Sequence, residues 1–359
     1  MLNKENPIII EDLKFISESA IAWKELFNQS ILITGCSGLI GSYLVKALIY
    51  ANKVHNLNLK VIGIYRNLES VNSRLLEYLN EPNLELILHD ITKPLKDDFP
   101  KVDFIIHAAS QASPIYYGVD PVGTILANSA GTEHLLNHAV KSKSKKFLFF
   151  SSGEVYGNPV YPNELIREDD YGYINPMNVR SCYAESKRLG ETMCVAWGKQ
   201  YNIHVNVVRP FHTYGPGIDL NDGRVFSDFV ANAVEGNNII LKSDGLAKRP
   251  FCYISDAVIG FLMVLISGKN AEAYNVGNPE AEVSIRDLAY QIRGLFPKLN
   301  LEVEFDIKDE DDKYIKSPVL RSCPSIDKIS AIGWTPSIGI KEGFNRTIKS
   351  FSNKVVNNE

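Results

Sequence analysis

Cysteine is scarce and poorly placed for cross-linking: Cys36, Cys182, Cys194, Cys252 and Cys323 are five in number, far apart, and include no CxxC pair. An odd, dispersed set builds neither a disulfide framework nor a zinc site, so no metal is expected and a reducing cytoplasm fits. Long apolar runs are also missing, and nothing approaches the ~20 apolar residues of a membrane-spanning helix. The opening Met1–Ile10 has an acid and only a short apolar run, Ile8 to Ile10, too little for a secretory signal. Positive charge is not in excess: 38 Lys and Arg against 42 Asp and Glu leave a net −4. Basic residues are scattered, which argues against a nucleic-acid or anionic-membrane partner. There is no internal repeat or low-complexity segment. What is present is 359 residues, 45% of them hydrophobic. That is enough for one large α/β domain or two closely joined ones.

Residues 11–28 read as an amphipathic helix through Leu13, Ile16, Ile21, Trp23 and Leu26. Residues 1–29 would then be a helical extension lying on the surface or at a subunit contact. From Ser30 the pattern alternates. Apolar runs at Ile31–Thr34, Val61–Tyr65, Leu84–His89, Phe104–Ala108, Phe147–Phe150 and Val205–Arg209 read as strands, with helices between them. Nearly continuous apolar strands separated by helices predict an α/β fold, a doubly wound parallel sheet covered on both faces. After Pro210 the rhythm loosens at Gly215, Pro216 and Gly217, and Ala273–Val276 reads as a returning strand. The expected division is a sheet domain at 30–210 plus about 255–280, and a smaller C-terminal α/β domain at 211–254 and 281–351. A polar tail, 352–359, follows.

The first strand runs into Gly35-Cys36-Ser37-Gly38-Leu39-Ile40-Gly41 and then a helix. Glycines at this spacing allow a tight reversal and close backbone approach to a pyrophosphate, which the helix N-terminus also attracts. The plain alternative is an ordinary strand-to-helix turn; the position at the head of a βαβ series favours a Rossmann-type NAD(P) site. The second strand ends Tyr65-Arg66-Asn67, without the carboxylate that binds adenosine ribose hydroxyls. Arg66 is therefore either a partner for a 2′-phosphate, the NADP solution, or a solvated surface arginine. Asp90 and Ile91, after the third strand, are placed to meet the adenine edge.

Tyr183 and Lys187 occur as Tyr-Ala-Glu-Ser-Lys at the start of a helix, four residues apart and so on one face. An ammonium beside a phenol favours phenolate, and this predicts a lowered tyrosine pKa. Ser151 and Ser152 end the fifth strand, where open α/β sheets bind ligands, and a hydroxyl there can hold a substrate oxygen. Cys36 and Cys182 flank these motifs but have no neighbouring base in the sequence, so small-residue packing explains them.

In this order the motifs resemble an extended short-chain dehydrogenase/reductase of the nucleotide-sugar epimerase/dehydratase superfamily, from about Ser30 to Phe351. Within it the chain is most similar to the UDP-glucuronate decarboxylases. The segments that carry the likeness are His107-Ala-Ala-Ser-Gln-Ala-Ser-Pro114, Ser151-Ser-Gly-Glu-Val-Tyr-Gly157, Asn175-Pro-Met-Asn-Val-Arg-Ser-Cys-Tyr183, Asn221-Asp-Gly-Arg-Val225, Arg249-Pro-Phe, Tyr274-Asn-Val-Gly-Asn278 and Gly333-Trp-Thr-Pro336. The resemblance implies Tyr183, Lys187 and Ser152 as the catalytic triad, with Glu154 beside them. It implies that NAD or NADP contacts Gly35, Ser37, Gly38, Leu39, Ile40, Gly41, Arg66, Asp90, Ile91, Ala108, Ala109, Ser110, Asn128 and Ser151 as well as Tyr183 and Lys187. Ser113, Tyr116, Glu154, His212, Arg224 and Arg249 would hold a nucleotide-diphosphate sugar, guanidinium forks suiting phosphate oxygens. A homodimer through a four-helix interface is also implied, with Leu135, Leu136, Met193 and Val195 as compatible apolar residues.

The chain departs from the family at four places. Gly153 replaces the Ser of the decarboxylases and the Asp of the 4,6-dehydratases, which argues against dehydration through that Asp. His212 replaces an Asn, Gly217 an Arg, and the acidic NAD selector is absent. The implied chemistry begins with removal of a sugar hydroxyl proton by Tyr183 and oxidation at C4. Decarboxylation, epimerisation or dehydration then follows, with Glu154 available to take a C5 proton. A 4-keto-sugar reductase using NADPH needs the same triad. A reductase for a non-sugar carbonyl would not need Arg224 and Arg249, and a dinucleotide-binding regulatory protein would not need to retain the triad.

Overall fold

The apolar runs pair into one seven-stranded sheet in which every pairing is parallel. Its strands are β1 (Ser30–Thr34), β2 (Lys60–Tyr65), β3 (Leu84–Leu88), β4 (Phe104–His107), β5 (Lys146–Phe150) and β6 (Val205–Pro210), followed by a last strand, Glu272–Val276. The computed structural model describes residues 6–161, 163–307 and 319–351 of the chain; the tail expected at 352–359 lies outside them. Across the sheet the order is last strand, β6, β5, β4, β1, β2, β3. The winding reverses between β1 and β4, which opens a crevice at their C-terminal ends. Main-chain ladders satisfy the buried peptide groups, so Ile31, Leu32 and Ile33 lie fully buried between two helical layers.

Helices α1 (Pro7–Ser17) and α2 (Leu39–His55) share one layer. The single helix expected over 11–28 is corrected here. Asn6 caps α1 by accepting from the Ile8 amide at 3.0 Å, Pro7 suits the first turn, and the helix ends at Ser17. A separate 3₁₀ turn covers Trp23–Leu26. Periodicity joined the two because Leu13, Ile16, Ile21, Trp23 and Leu26 all face the core. The segment packs on the surface of the fold with one face buried: α1 meets α2, the helix Ile254–Ser267 and the final helix Ile340–Phe351, while Ile10 and Phe15 stay exposed. Each large apolar side chain buried there contributes roughly 1.5–3 kcal/mol. The carboxylate of Asp12, 1% exposed, accepts from Tyr43 at 3.0 Å and Tyr253 at 2.9 Å and pairs with Arg346 at 2.8 Å.

Beyond β6 the chain forms short strand pairs, Ile239–Leu241 with Val303–Phe305 and Lys248–Pro250 with Glu282–Ser284. These pack with the helices Val225–Glu235 and Ile285–Leu295. Among the described residues no helix is long and apolar enough to cross a membrane.

Two residues offered for a subunit interface are corrected. Leu135 and Leu136 are fully buried in the chain's own core, beneath the sheet. The apolar side chains exposed on the adjoining helices Pro121–Asn128 and Ser181–Tyr201 are Val122, Ile125, Leu126, Leu189 and Val195.

Candidate active site

The glycine turn is fixed by close backbone approach. Gly35 has φ +67°, and a Cβ on it would lie 2.8 Å from Ala109 Cα. A Cβ on Gly41 would lie 2.1 Å from the Gly35 carbonyl oxygen. Gly38 caps α2 without a side chain, so Leu39, Ile40 and Gly41 begin the helix with no side-chain cap on its amides. The Cys36 thiol is buried, and burial pushes it up to about 12, consistent with packing. Opposite, the Ala109 amide donates to the Thr34 hydroxyl at 3.1 Å, and Thr34 also meets His107 Nδ1 at 2.9 Å. This pins Ala108, Ala109 and Ser110 against the turn. Three buried polar atoms here, His107 Nε2, Ser110 Oγ and Asn128 Oδ1, have no hydrogen-bond partner. Asn128 donates its amide to the Ser186 hydroxyl at 3.0 Å, next to Lys187.

On the far side of β1, the Asp90 carboxylate accepts from the Thr92 amide and hydroxyl. Burial raises Asp90, but those two hydrogen bonds and the charges of Arg66 and Lys93 bring it below the usual carboxylate range. Ile91 is buried, and its carbonyl accepts from His134 at 2.9 Å. Arg66 is exposed near Asp90 and Asp120. The sequence reading missed Arg74, on α3 (Leu68–Leu75), whose guanidinium donates to the carbonyls of Ser37 and Gly217, each at 3.2 Å. Gly217, lacking the family's arginine, thus accepts from an arginine placed elsewhere in the chain.

Tyr183 and Lys187 lie in the first two turns of the helix Ser181–Tyr201, both buried. Lys187 Nζ donates to the Phe150 carbonyl at 2.6 Å and lies 5.6 Å from the centre of the Tyr183 ring. Ser152 lies on the Tyr183 side of the site and favours its phenolate, and its hydroxyl accepts from the Glu154 amide at 3.2 Å. Tyr117 stacks on Tyr183 with ring centres 5.0 Å apart. The expected lowering of the tyrosine is corrected: burial outweighs its neighbours and pushes Tyr183 up to about 12. Burial likewise brings Lys187 down to about 7, against the opposing charge of Glu191.

Ser151 also differs from expectation. Successive strand residues face opposite ways, so while Ser152 faces Tyr183, the Ser151 hydroxyl donates to Glu191 at 2.5 Å. Glu154 is not a free carboxylate. Both its oxygens accept from the fork of Arg180, at 3.1 and 3.2 Å, three residues ahead of Tyr183. Arg180 was not singled out in the sequence, although it stands within the segment Asn175–Tyr183 that carries the family likeness. A Cβ on Gly153 would meet the Phe211 ring at 2.8 Å, so Phe211 fills the space a side chain there would need.

Of the residues expected to meet substrate, Ser113 donates to the Asp222 carbonyl at 2.7 Å, and Tyr116 is largely exposed. Arg224 pairs with Asp222 and covers the Phe226 ring at 5.0 Å. His212 adopts φ +27°, its Nδ1 is buried without a partner, and burial with Arg249 and Arg224 nearby holds it neutral. Arg249 donates to the carbonyls of Lys248, Val319 and Leu320, an engagement that its sequence context did not reveal.

A doubly wound sheet with a glycine turn at its head, and a Ser–Tyr–Lys group across the crevice with its tyrosine and lysine buried, defines a dinucleotide-dependent short-chain dehydrogenase/reductase. The family model for the NAD dependent epimerase/dehydratase family matches residues 31–277, and the chain belongs to that family. It is 37% identical over 317 residues to UDP-glucuronic acid decarboxylase 6 of Arabidopsis thaliana, covering 88% of this chain and 87% of that protein. It is 35% identical over 345 residues to UDP-glucuronic acid decarboxylase 1 of Danio rerio, covering 96% of this chain and 76% of that protein. Among solved structures, UDP-glucuronic acid 4-epimerase from Bacillus cereus, in complex with UDP-glucuronic acid and NAD, shares the fold with a TM-score of 0.76. The two are 23% identical, and the match covers 90% of this chain and 98% of that one.

Proposed function

We propose that this enzyme oxidises the sugar of UDP-glucuronate at C4 and then decarboxylates it. The observation that carries this reading is the pairing of Glu154 with Arg180 in a site where position 153 is glycine. Dehydration needs a carboxyl acid and base at the sugar, but Gly153 supplies no acid and both oxygens of Glu154 are engaged. Loss of carbon dioxide needs neither. The similarity to UDP-glucuronic acid decarboxylases agrees.

The residues fit a dinucleotide: at Gly35 and Gly41 the backbone packs where a Cβ would clash, and the α2 amides, without a side-chain cap, would receive a pyrophosphate. Ala108, Ala109, Ser110, Asn128, Asp90 and Ile91 would line the rest of its groove. The bound dinucleotide supplies a hydride acceptor and later returns the hydride. Tyr183 receives the C4 hydroxyl proton, Ser152 orients that oxygen, and Lys187 and Arg224 provide the positive charge that a buried phenolate requires. A ketone at C4 makes the C5 carboxylate a β-keto acid. The bond from C5 to the carboxyl carbon breaks, carbon dioxide leaves, and the bonding pair passes into the C4 oxygen as an enolate; C5 then takes a proton from water, and Tyr183 returns its proton to the C4 oxygen as the hydroxyl is restored. Residues 211–254 and 281–351 would hold the nucleotide, with Ser113, Tyr116, His212, Arg224 and Arg249 toward the diphosphate and sugar.

A second reading, an NADPH-dependent 4-keto-sugar reductase, is favoured by Arg66 at the end of β2, where a carboxylate would select NAD. We place the enzyme in the cytoplasm, since Cys36, Cys182, Cys194, Cys252 and Cys323 are all unpaired. We also read it as a homodimer through the exposed faces of Pro121–Asn128 and Ser181–Tyr201. The deciding experiment is mass spectrometry and absorbance on purified protein with UDP-glucuronate and NAD, and separately with a dTDP-4-keto-6-deoxy sugar and NADPH. A product lighter by carbon dioxide, without net NADH, is expected. An isobaric product refutes decarboxylation in favour of epimerisation, and steady NADPH consumption with the keto sugar establishes the reductase.

A further inference from the structure

One buried charge cluster lies just behind the triad and takes no part in the chemistry above. Glu191 is one helical turn beyond Lys187 on the same helix. Its carboxylate accepts from the Ser151 hydroxyl at 2.5 Å and from Arg209 Nε and Nη2 at 2.9 and 2.6 Å. Arg209 is 1% exposed and is held by the Tyr156 hydroxyl at 2.8 Å, the Glu168 carbonyl at 2.7 Å and the Tyr171 hydroxyl at 3.0 Å. The Tyr156 hydroxyl in turn donates to Asn275 on the last strand at 2.5 Å. Ser151 and Arg209 thus grip one carboxylate from two other segments of the chain, and Ser151 directly precedes Ser152.

We propose that Glu191 is a positioning residue of the reaction: by clamping Ser151 to Arg209 it fixes the Ser152 hydroxyl against Tyr183, and it supplies the counter-charge of the Lys187 ammonium. The geometry separates the two roles. Ser151 carries the first through its hydroxyl, and the helical turn carries the second through charge alone. Lys187 faces few other ionisable groups. They are Cys194 and Tyr183 on its own helix and His107 on β4, and burial brings His107 down to about 3, so it adds no charge near neutrality. Among the described residues that act on Lys187, Glu191 is the only anion at neutral pH. The proposal rests on Tyr183 and Lys187 being the catalytic pair.

The test compares Glu191→Gln, Ser151→Ala and Ser151→Thr in the full-length enzyme. Glu191→Gln is expected to lower kcat about tenfold or more with KM within about twofold, and to move the alkaline limb of kcat to lower pH by about one unit. Ser151→Ala is expected to lower kcat without moving that limb, and Ser151→Thr to restore most of it. A merely structural clamp would lower the melting temperature and leave both limb and kcat of the folded enzyme unchanged, which would overturn the proposal. If Glu191→Gln does not fold, Glu191→Asp keeps the charge, so a lowered kcat with an unmoved limb is expected, and an unchanged kcat overturns the proposal. A readout independent of turnover is the ¹³Cε resonance of Lys187, assigned with Lys187→Arg. It is expected to titrate at lower pH in Glu191→Gln, and an unchanged titration refutes the charge role even if UDP-glucuronate is not the substrate. Retained activity in Tyr183→Phe would instead remove the catalytic pair itself, with Lys187 still titrating as stated.

Discussion

Adding one methyl group to the glycine turn should separate cofactor binding from folding. In Gly41→Ala the new Cβ would lie 2.1 Å from the Gly35 carbonyl oxygen and 2.8 Å from its carbon, both backbone atoms. Ordinary van der Waals contact is well over an ångström longer, and neither atom can rotate away. The turn must therefore open, in the segment whose amides receive a pyrophosphate. Overpacking of this kind costs about 1–3 kcal/mol. If about half of it falls on the bound state, the dinucleotide weakens about two- to tenfold, since about 1.4 kcal/mol is one decade in Kd. Gly38→Ala is the graded comparison, with its Cβ at 3.3 Å from the same oxygen, and should lose less. Gly294→Ala is the control: nothing lies within 4 Å, and in the helix Ile285–Leu295 it should gain about 0.5–1 kcal/mol. Calorimetric titration with NAD and thermal unfolding check the series. A Gly41→Ala protein with wild-type affinity and melting temperature would show that the turn does not hold the cofactor as argued.

Arg66→Ala should weaken NADP by about tenfold or more and leave NAD within about twofold, because a guanidinium pairs with a 2′-phosphate and not with ribose hydroxyls; equal loss for both cofactors would make Arg66 a surface residue. Burial raises Asp12 to about 6 despite Arg346, so the folded state holds its proton more tightly than the unfolded chain does. The sign is therefore a loss of stability as pH rises from about 4 to 6, worth up to roughly 3 kcal/mol. Urea unfolding of wild type against Asp12→Asn should show that slope only in the wild type, and parallel curves would refute it. Leu126→Asp with Leu189→Asp should convert the proposed dimer to monomer by light scattering without lowering the melting temperature of the protomer; an unchanged mass would move the interface elsewhere.

The parallel sheet was legible because strands buried on both faces must be apolar at every position, and runs such as Ile31–Ile33 and Phe147–Phe150 have no competing helical reading. The glycine turn and the Tyr-x-x-x-Lys pair were legible for a related reason: each is local, with all its geometry inside one turn. The contacts that qualify the site are not local. Glu154 meets Arg180 across 26 positions of chain, Ser151 meets Glu191 across 40, and Arg74 reaches Gly217 across 143. No periodicity encodes such meetings: the first two exist because the helix Ser181–Tyr201 packs against β5 and the turn that follows it, and the third because α3 reaches the loop after β6. The N-terminal segment failed differently, since its apolar spacing was real but spread over two elements and the connection 18–22 between them.

The same distinction explains why the tyrosine's ionisation was misjudged. Four-residue spacing correctly puts an ammonium beside the phenol, but spacing carries no information about dielectric, and here both groups lie almost wholly out of water. Burial disfavours charge on either one, so it raises Tyr183 and lowers Lys187 together. A site built this way cannot rely on the pair alone to form phenolate. It needs further positive charge toward Tyr183 and negative charge behind Lys187. Arg224 acts on the first side and Glu191 on the second, and they come from different elements on opposite sides of the triad. The two charges are therefore positioned by different means. Arg224 belongs to the segment proposed to hold the nucleotide sugar and is held there by Asp222, so it would serve substrate and phenolate together, whereas Glu191 is held behind the triad by Ser151 and Arg209. Activity lost through Arg224 should accordingly appear in KM and kcat together, and activity lost through Glu191 in kcat alone.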